Sequence, residues 1–580
     1  MADGETYAQR PAIRGTRHMV SAGHYGAAHA AFAVLEAGGN AVDAAAAGGI
    51  ALAVLQPDIV NVAGVAPILV RPASGEVVSI AGLGGWPAAA DVEVFVREHG
   101  GRIPESLLRT VVPAAPDAWI TALERFGTMG FGEVVQAAIR FADDGFPMYP
   151  LLADMIAARA GKYARWPSNA AIFLPGGSAP RVGELFVQKD LARTLRYMAD
   201  EEAAARGRGG DRRAGLQAAR DAFYRGDIAR AIAAFHREQG GWLSADDLAS
   251  YRSPVERATS VRFLGTDVYT CGAWCQGPVL GQALNILDAD RLSAAGHNSA
   301  DYLHILVEAL KLAFADREAF YGDPEHVEVP LAGLLDADYG RARRALIDPA
   351  RATPGMPAPG RPPGGAPPSP GVAAALQRDG VPAGPPRDTS YICVVDRWGN
   401  TVSATPSDVS FESPVVPGTG LVPSSRGSQS WTAAGHPSRV APGKRPRLTP
   451  SPALAVAPGR FVLPFGTPGG DVQLQAMAQV LLNMLLFGMD PQDAVEHPRV
   501  ATYSFPDSFE PHEELPGRLC VEARIPPTVG DDLAARGHQV AWWPERIWRA
   551  GAVCAIHADL ASGILTAGAD PRRPGYALGW

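Results

Sequence analysis

Apolar positions along the chain recur at two spacings, and these alternate. Residues 29–37 carry an Ala-rich helical pattern that Gly38-Gly39 stops. Asn40 then stands where an N-cap is expected, ahead of a second helix, Ala41–Leu55, which ends before Pro57. The β-branched stretches Ile68–Arg71 and 76–80 flank Ala73-Ser74-Gly75 and predict a hairpin. From 113 to about 233 the pattern is mostly helical, and 265–269 reads as a strand. Asn298, with Asp301 three residues on, predicts the cap of a helix that carries Leu303, Leu306, Leu310 and Ala313 on one stripe.

One segment breaks the alternation. Residues 352–387 are dominated by Pro and Gly and hold few apolar side chains, a composition that predicts a flexible loop or tail. Sheet pattern follows at once. Residues 391–395 form an apolar run, 396–400 supply turn residues, and 401–405 return and stop at Pro406. The Pro/Gly segment therefore ends at Asp388, and a hairpin begins at Thr389-Ser390. Further on come a basic loop at 443–447, a strand at 460–464, the turn Gly466-Thr467-Pro468-Gly469-Gly470, and a helix over 472–486 with Asp471 as its expected cap.

Composition narrows the class. The 580 residues include 64 Gly and 51 Pro, yet 47% are hydrophobic and 19% charged, which excludes global disorder. The glycines have no three-residue period, which excludes collagen. Length alone allows three or four domains or one large enzyme. A net charge of −8 gives no reason to expect nucleic acid or an anionic membrane as partner. The longest apolar run, 44–55, is too short to span a bilayer, and residues 1–16 carry no apolar signal core. Cys271, Cys275, Cys393, Cys520 and Cys554 are an odd, sparse set, as expected of reduced thiols in a cytoplasmic protein. There is no P-loop, no His-Glu-x-x-His and no Gly-x-Ser-x-Gly.

The chemistry centres on Thr389. A threonine in a loop is ordinarily a turn or cap residue. This one stands where a Pro/Gly segment meets an apolar strand. If the chain were cut before it, Thr389 would own both a hydroxyl and a free α-amine of pKa about 7.7–8. That amine could take the hydroxyl proton at neutral pH.

At this point the chain resembles the γ-glutamyltransferase family of N-terminal nucleophile hydrolases. The resemblance is carried by Ala37-Gly38-Gly39-Asn40-Ala41-Val42-Asp43-Ala44-Ala45, by Asn298-Ser299-Ala300, by 310–317 with Tyr321-Gly322-Asp323-Pro324, by Gly443-Lys444-Arg445-Pro446 with Ser451-Pro452, by Pro468-Gly469-Gly470, and by Ala569-Asp570-Pro571-Arg572. It implies an α/β (α+β) fold, a four-layer αββα sandwich made as an inactive precursor. Residues 1–388, with their flexible tail 352–387, would form a large subunit. Residues 389–580 would form a small subunit, the two together making one domain. Cleavage would fall between Asp388 and Thr389, with Thr389 as nucleophile, Ser407 as a second hydroxyl beside it, and the Gly469 and Gly470 N–H groups holding the oxyanion. No metal or organic cofactor is implied. The partners expected are a small amide substrate and the two subunits of one precursor, in a possible dimer of such heterodimers.

The chain also departs from the family pattern where the family holds a γ-glutamyl donor. The arginine that takes the donor carboxylate is replaced by Val92, and the acid that takes its amine by Ser428. The asparagine two positions after Ser407 is Val409, beside Asp408, and the paired serines become Leu448-Thr449. The Gly-rich run after Pro57 reads Asn61-Val62-Ala63-Gly64-Val65-Ala66. A zwitterionic donor needs partners for both of its charges. With those partners replaced, the reading is an amidohydrolase for another small, carboxylate-bearing amide, oxamate-like or another acyl amide. Arg426, Arg447, Ser428 and Thr449 are the candidate substrate contacts, and Tyr391 and Trp431 could line a pocket. The alternatives are a true γ-glutamyl hydrolase or transferase and a homologue that never matures.

Overall fold

The computed structural model describes residues 8–367 and 388–580. Its centre is a pair of seven-stranded sheets. One runs, in spatial order, Ile13–Gly15, Leu565–Ala569, Cys554–Asp559, Phe461–Gly466, Ala453–Ala457, Thr266–Thr270 and Thr259–Phe263. The other runs Tyr576–Gly579, Met19–Ala22, Ile392–Val395, Thr401–Ala404, Ile68–Arg71, Val78–Ile80 and Val255–Arg257. Neighbouring strands in both are antiparallel.

The side-chain period of two explains the layering. Along Ile392–Val395, Ile392 and Val394 pack with the helix Ala41–Leu55. Cys393 and Val395 point the other way and meet Leu454 and Val456 of the opposite sheet. In that sheet Ala453, Ala455 and Ala457 face the helices Ala300–Phe320 and Gln473–Leu485. The result is the expected αββα stack. Its central strands Ile392–Val395 and Ala453–Ala457 are apolar at every position because both faces are covered. Both sheets take strands from either side of residue 389, so the two parts of the chain share one fold.

The first helix pair shows how local sequence fixes the frame. Asn40 caps Ala41–Leu55 and forms a reciprocal box with Asp43. Asp43 is fully buried and also accepts from Thr128 N at 2.9 Å, Thr128 Oγ1 at 2.7 Å and Met129 N at 3.0 Å. Asp396, in the turn after the Ile392–Val395 strand, accepts from Ala41 N at 2.9 Å, tying that turn to the helix start.

Three expectations need correction. The cap of Ala300–Phe320 is Ser299, which accepts from Tyr302 N, and not Asn298, which adopts φ 53° one residue earlier. Asp471 does not cap the following helix, because a short 3₁₀ turn, Gly470–Val472, precedes it. The Asp471 carboxylate instead accepts from Arg317 and, at 2.7 Å, from Ser508 Oγ. The first part of the Pro/Gly segment, 352–367, is not loose. Thr353 N donates to Glu308 Oε2 at 3.0 Å and Gly360 N to Asp316 Oδ1 at 2.7 Å, so Ala300–Phe320 carries it along its length. The rest of that segment, 368–387, lies outside the described residues.

Asp43→Ala strands several buried donors at once, so it is expected to lower stability by about 2–4 kcal/mol. A denaturation midpoint close to that of the parent chain would show that the box does not hold the helix pair together.

Candidate active site

The site forms where the hairpin of residues 389–407 closes. Thr389 and Ser407 face each other across an isolated bridge at its open end. Ser407 N donates to Val65 O at 2.9 Å, which seats it against the segment after Pro57. Gly64 makes that approach possible, since a Cβ there would sit 2.4 Å from Ser407 O. Thr389 Oγ1 lies 2.9 Å from Ser407 Oγ, and both residues are at most 1% exposed.

Ser407 Oγ also donates to the Asp388 carbonyl oxygen at 3.1 Å. Arg426 adds a second donor, its Nη2 reaching Ser407 Oγ and lying 3.5 Å from Asp388 O. The carbonyl before Thr389 is therefore polarised from one side while the Thr389 hydroxyl is fixed beside it. Arg426 comes from the short turn Arg426–Gln429 and is steered by Asp408, 3.8 Å from its Nε. Asp408 accepts from Ser424 Oγ at 2.6 Å and Ser425 Oγ at 2.8 Å. Burial pushes its carboxyl up, against the pull of Arg426 and these hydroxyls.

Gly469 and Gly470 have φ 129° and 56°, values that suit glycine. Among the described residues neither of their N–H groups meets a protein acceptor. Both line a cavity of about 410 Å³ that reaches Asp388. Its walls carry the rings of Tyr503, Phe505, Phe509, Trp542, Trp543 and Trp548 beside the charged side chains of Asp507, Glu513, Arg518, Arg549 and Arg573. Gln473, at the start of Gln473–Leu485, brings Nε2 to 3.5 Å from Thr389 Oγ1.

The remaining candidates divide. Thr449 joins the site frame, accepting from Gln429 Nε2 at 2.8 Å, while Gln276 Nε2 bridges Thr449 O and Gly470 O at 3.0 Å each. Ser428 is buried in the turn with Arg426, and its carbonyl accepts from Glu510 N at 2.7 Å. Arg447 lies elsewhere, in a buried cluster with Glu318 at 2.9 Å. Burial pushes the Glu318 carboxyl up, but Arg447 and Arg317 outweigh it and hold it well below the usual range. Tyr391 packs between the sheets on Gly466, with Ser403 Oγ 2.6 Å from its hydroxyl. Trp431 is stacked between His436 and His512, at 4.4 and 3.8 Å. Neither ring lines the aromatic cavity. All five cysteines are buried and unpaired.

Two residues were not found by sequence reasoning. Arg573 directly follows the Ala569-Asp570-Pro571-Arg572 motif and donates to Asp388 Oδ2. Asp58 directly follows Pro57 and lines a small cavity with Asp388 and Arg573. Burial raises the Asp58 carboxyl to about 6, the Asp388 charge adding to the rise and Arg159 opposing it. For metal ions, His304, Glu308 and His538 bring ligand atoms within 4.8 Å of one another. Glu308 is already paired with Lys311 at 2.8 Å, and His304 Nδ1 with His538 Nε2 at 2.9 Å, so this cluster is self-satisfied. Among the described residues no helix is long and apolar enough to cross a membrane.

The gamma-glutamyltranspeptidase family matches residues 27–580. The chain belongs to that family. It is an enzyme of the amidohydrolase and acyltransferase type that the family comprises, with the N-terminal nucleophile hydrolase fold. It is 33% identical over 555 residues to the acylase ACY 1 proenzyme of Pseudomonas sp. (strain SE83), covering 93% of this chain and 90% of that one. It is 30% identical to the glutathione hydrolase-like YwrD proenzyme of Bacillus subtilis (strain 168), covering 98% and 99%. The solved cephalosporin acylase from Bacillus halodurans superposes with a TM-score of 0.84 at 28% identity, covering 100% of this chain and 99% of that one.

Asp58 carries a pH prediction. The unfolded carboxyl ionises near the ordinary aspartate value of 3.8 and the folded one at about 6. Folding therefore takes up a proton between these values, and stability falls as pH rises from about 4 to 6, then levels off. In a full-length Thr389→Ala chain, Asp58→Asn should remove that contribution and raise the unfolding midpoint at pH 7.5 more than at pH 4.5. Equal shifts at both pH values would contradict the raised carboxyl.

Proposed function

We propose that this enzyme is a self-processing threonine amidohydrolase that works through an acyl-enzyme on Thr389. The reading is carried by one observation. Ser407 Oγ lies within hydrogen-bond distance of both the Thr389 hydroxyl and the Asp388 carbonyl oxygen, at 2.9 and 3.1 Å.

In maturation, Thr389 Oγ1 attacks the Asp388 carbonyl carbon while Ser407 and Arg426 bear the charge growing on its oxygen. The C–N bond breaks, the hydroxyl proton ends on the Thr389 nitrogen, and an ester joins Asp388 to Thr389 Oγ1. Water hydrolyses that ester, releasing residues up to 388 with a new carboxylate and leaving Thr389 with a free amine and hydroxyl. In turnover, the amine takes the Oγ1 proton as the hydroxyl attacks the substrate amide, then passes it to the leaving amine. The Gly469 and Gly470 N–H groups hold the oxyanion, which agrees with their lack of an acceptor among the described residues. Water then frees the acyl group. The two pieces remain one αββα unit as a processed heterodimer, in keeping with the proenzyme names of the relatives.

The aromatic cavity favours an acyl amide over a γ-glutamyl donor. By the family resemblance, Val92 and Ser428 replace the charged partners of a donor carboxylate and amine, and Arg447 is committed to Glu318. Arg426 is turned toward Ser407 and Asp388, so its place is the maturation step more than the carboxylate clamp expected of it.

Ser407→Ala and Arg426→Gln should each slow conversion to two fragments by about 10²-fold, read from a time course on denaturing gels. Conversion at the parental rate in both would remove the proposed polarisation of Asp388 O. For turnover, carboxyacyl anilides should exceed γ-glutamyl anilide in kcat/KM by at least about tenfold, with Thr389→Ala inactive on all of them. The reverse order would establish the γ-glutamyl alternative.

A further inference from the structure

Maturation changes the state of one buried cation. Arg573 Nη2 donates to Asp388 Oδ2 and, at 3.0 Å, to Trp548 O. The Arg573 and Asp388 side chains are 2% and 4% exposed, so this pair is shielded from water. Among the described residues Arg573 Nε has no acceptor, leaving one edge of the guanidinium unused. Trp548 flanks the group, its ring 5.5 Å from the guanidinium carbon. Both Asp388 and Arg573 line the aromatic cavity into which Gly469 and Gly470 open.

In the uncut chain the Asp388 carboxylate is held by its covalent tie, by Arg573 and by Thr389 N, which donates to its Oδ1 at 2.8 Å; cleavage before Thr389 would end the covalent tie and let the carboxylate leave with the new C-terminus. Arg573 stays with the small subunit, by its position in the chain. It would then be a buried guanidinium without its hydrogen-bonded carboxylate, facing only Asp58 across the small cavity that both line, and a buried cation so placed favours an arriving anion. A carboxylate that presents two oxygens could engage Nε and Nη2 together.

We propose that Arg573 is the carboxylate subsite of the mature enzyme, and that Asp388 occupies it in the precursor as a built-in substrate mimic. The inference rests on the Thr389 acyl-enzyme reading, and it adds a length to the substrate. Both reactions place an acyl carbon on the same oxygen, Thr389 Oγ1. In the precursor that acyl group is Asp388, whose carboxylate carbon is two carbons removed from the attacked carbonyl. The acyl group that reproduces this spacing is succinyl. An oxamate-like acyl group carries its carboxylate directly on the carbonyl and falls short. The favoured substrate class is an N-succinyl amide or a near homologue, with the aromatic walls beyond it available to the amine portion.

The test uses the full chain and needs no catalysis. Succinate is titrated by calorimetry into Thr389→Ala, which keeps Asp388 in the subsite, and into Thr389→Ala with Asp388→Gly, which empties it. Succinate should bind the double variant about 10- to 100-fold more tightly than the single one. Adding Arg573→Gln should remove that gain, and Arg573→Lys should restore only part of it, which also covers failure of the Gln variant to fold. Equal affinity for the single and double variants would overturn the proposal, as would full retention of binding with Arg573→Gln. On the mature enzyme, succinyl anilide should exceed the uncharged butyryl anilide in kcat/KM by at least about tenfold. Equal rates with both would overturn the subsite and leave the acyl-enzyme reading standing. A chain that never matures would instead remove the acyl-enzyme reading, while the succinate titration would still decide whether Arg573 and Asp388 form a carboxylate subsite.

Discussion

The site depends on one small constraint: a single hydroxyl, Ser407 Oγ, touches the Thr389 hydroxyl and the preceding carbonyl at the same time. That geometry is not a property of two side chains alone. It needs the hairpin register that pairs Thr389 with Ser407, the Val65 carbonyl behind Ser407, and the absence of a side chain at Gly64. Each is set by the sheet, and the sheet is set by helices packed on its outer face. The arrangement around Thr389 is thus built on buried strands that are packed on both faces.

Buried charge adds a second layer of order. Arg426 with Asp408, Arg573 with Asp388, and Arg447 with Glu318 are all shielded pairs. Such pairs contribute little net stability, but breaking one leaves a charge stranded, so they fix orientation strongly. They also have different surroundings. Arg447 is paired with Glu318, away from Thr389. Arg573 is held by Asp388, the residue that the proposed cleavage would detach. Arg426 faces the peptide bond between Asp388 and Thr389. The three arginines look interchangeable in the sequence, and only their partners separate them.

Much of the fold was legible because its central strands are covered on both faces and read as apolar runs, as in Ile392–Val395 and the first three residues of Ile68–Arg71. The Asn40 cap was legible too, because its partner Asp43 is three residues away. Errors arose where local rules met tertiary demands. Asn298 takes a left-handed turn and passes the cap to Ser299, and Asp471 gives up capping to accept from Arg317. The tied-down course of 352–367 was hidden because its partners are backbone groups and the side chains Glu308 and Asp316 of a distant helix. In the site, motif order located Thr389, Ser407 and the two glycines. The pairing of Arg447 with Glu318 spans more than a hundred residues and leaves no local pattern. Arg573 was passed over because it stands one position beyond the motif that drew attention.

The central claim is that the peptide bond before Thr389 is broken by Thr389 itself. Intact-mass measurement of the purified protein, beside its Thr389→Ala variant, tests this most directly. The account predicts two fragments in the parent, one ending at Asp388 and one beginning at Thr389, and a single uncut chain in the variant. A folded parent that stays at full length, or a variant cut at the same bond, would contradict it.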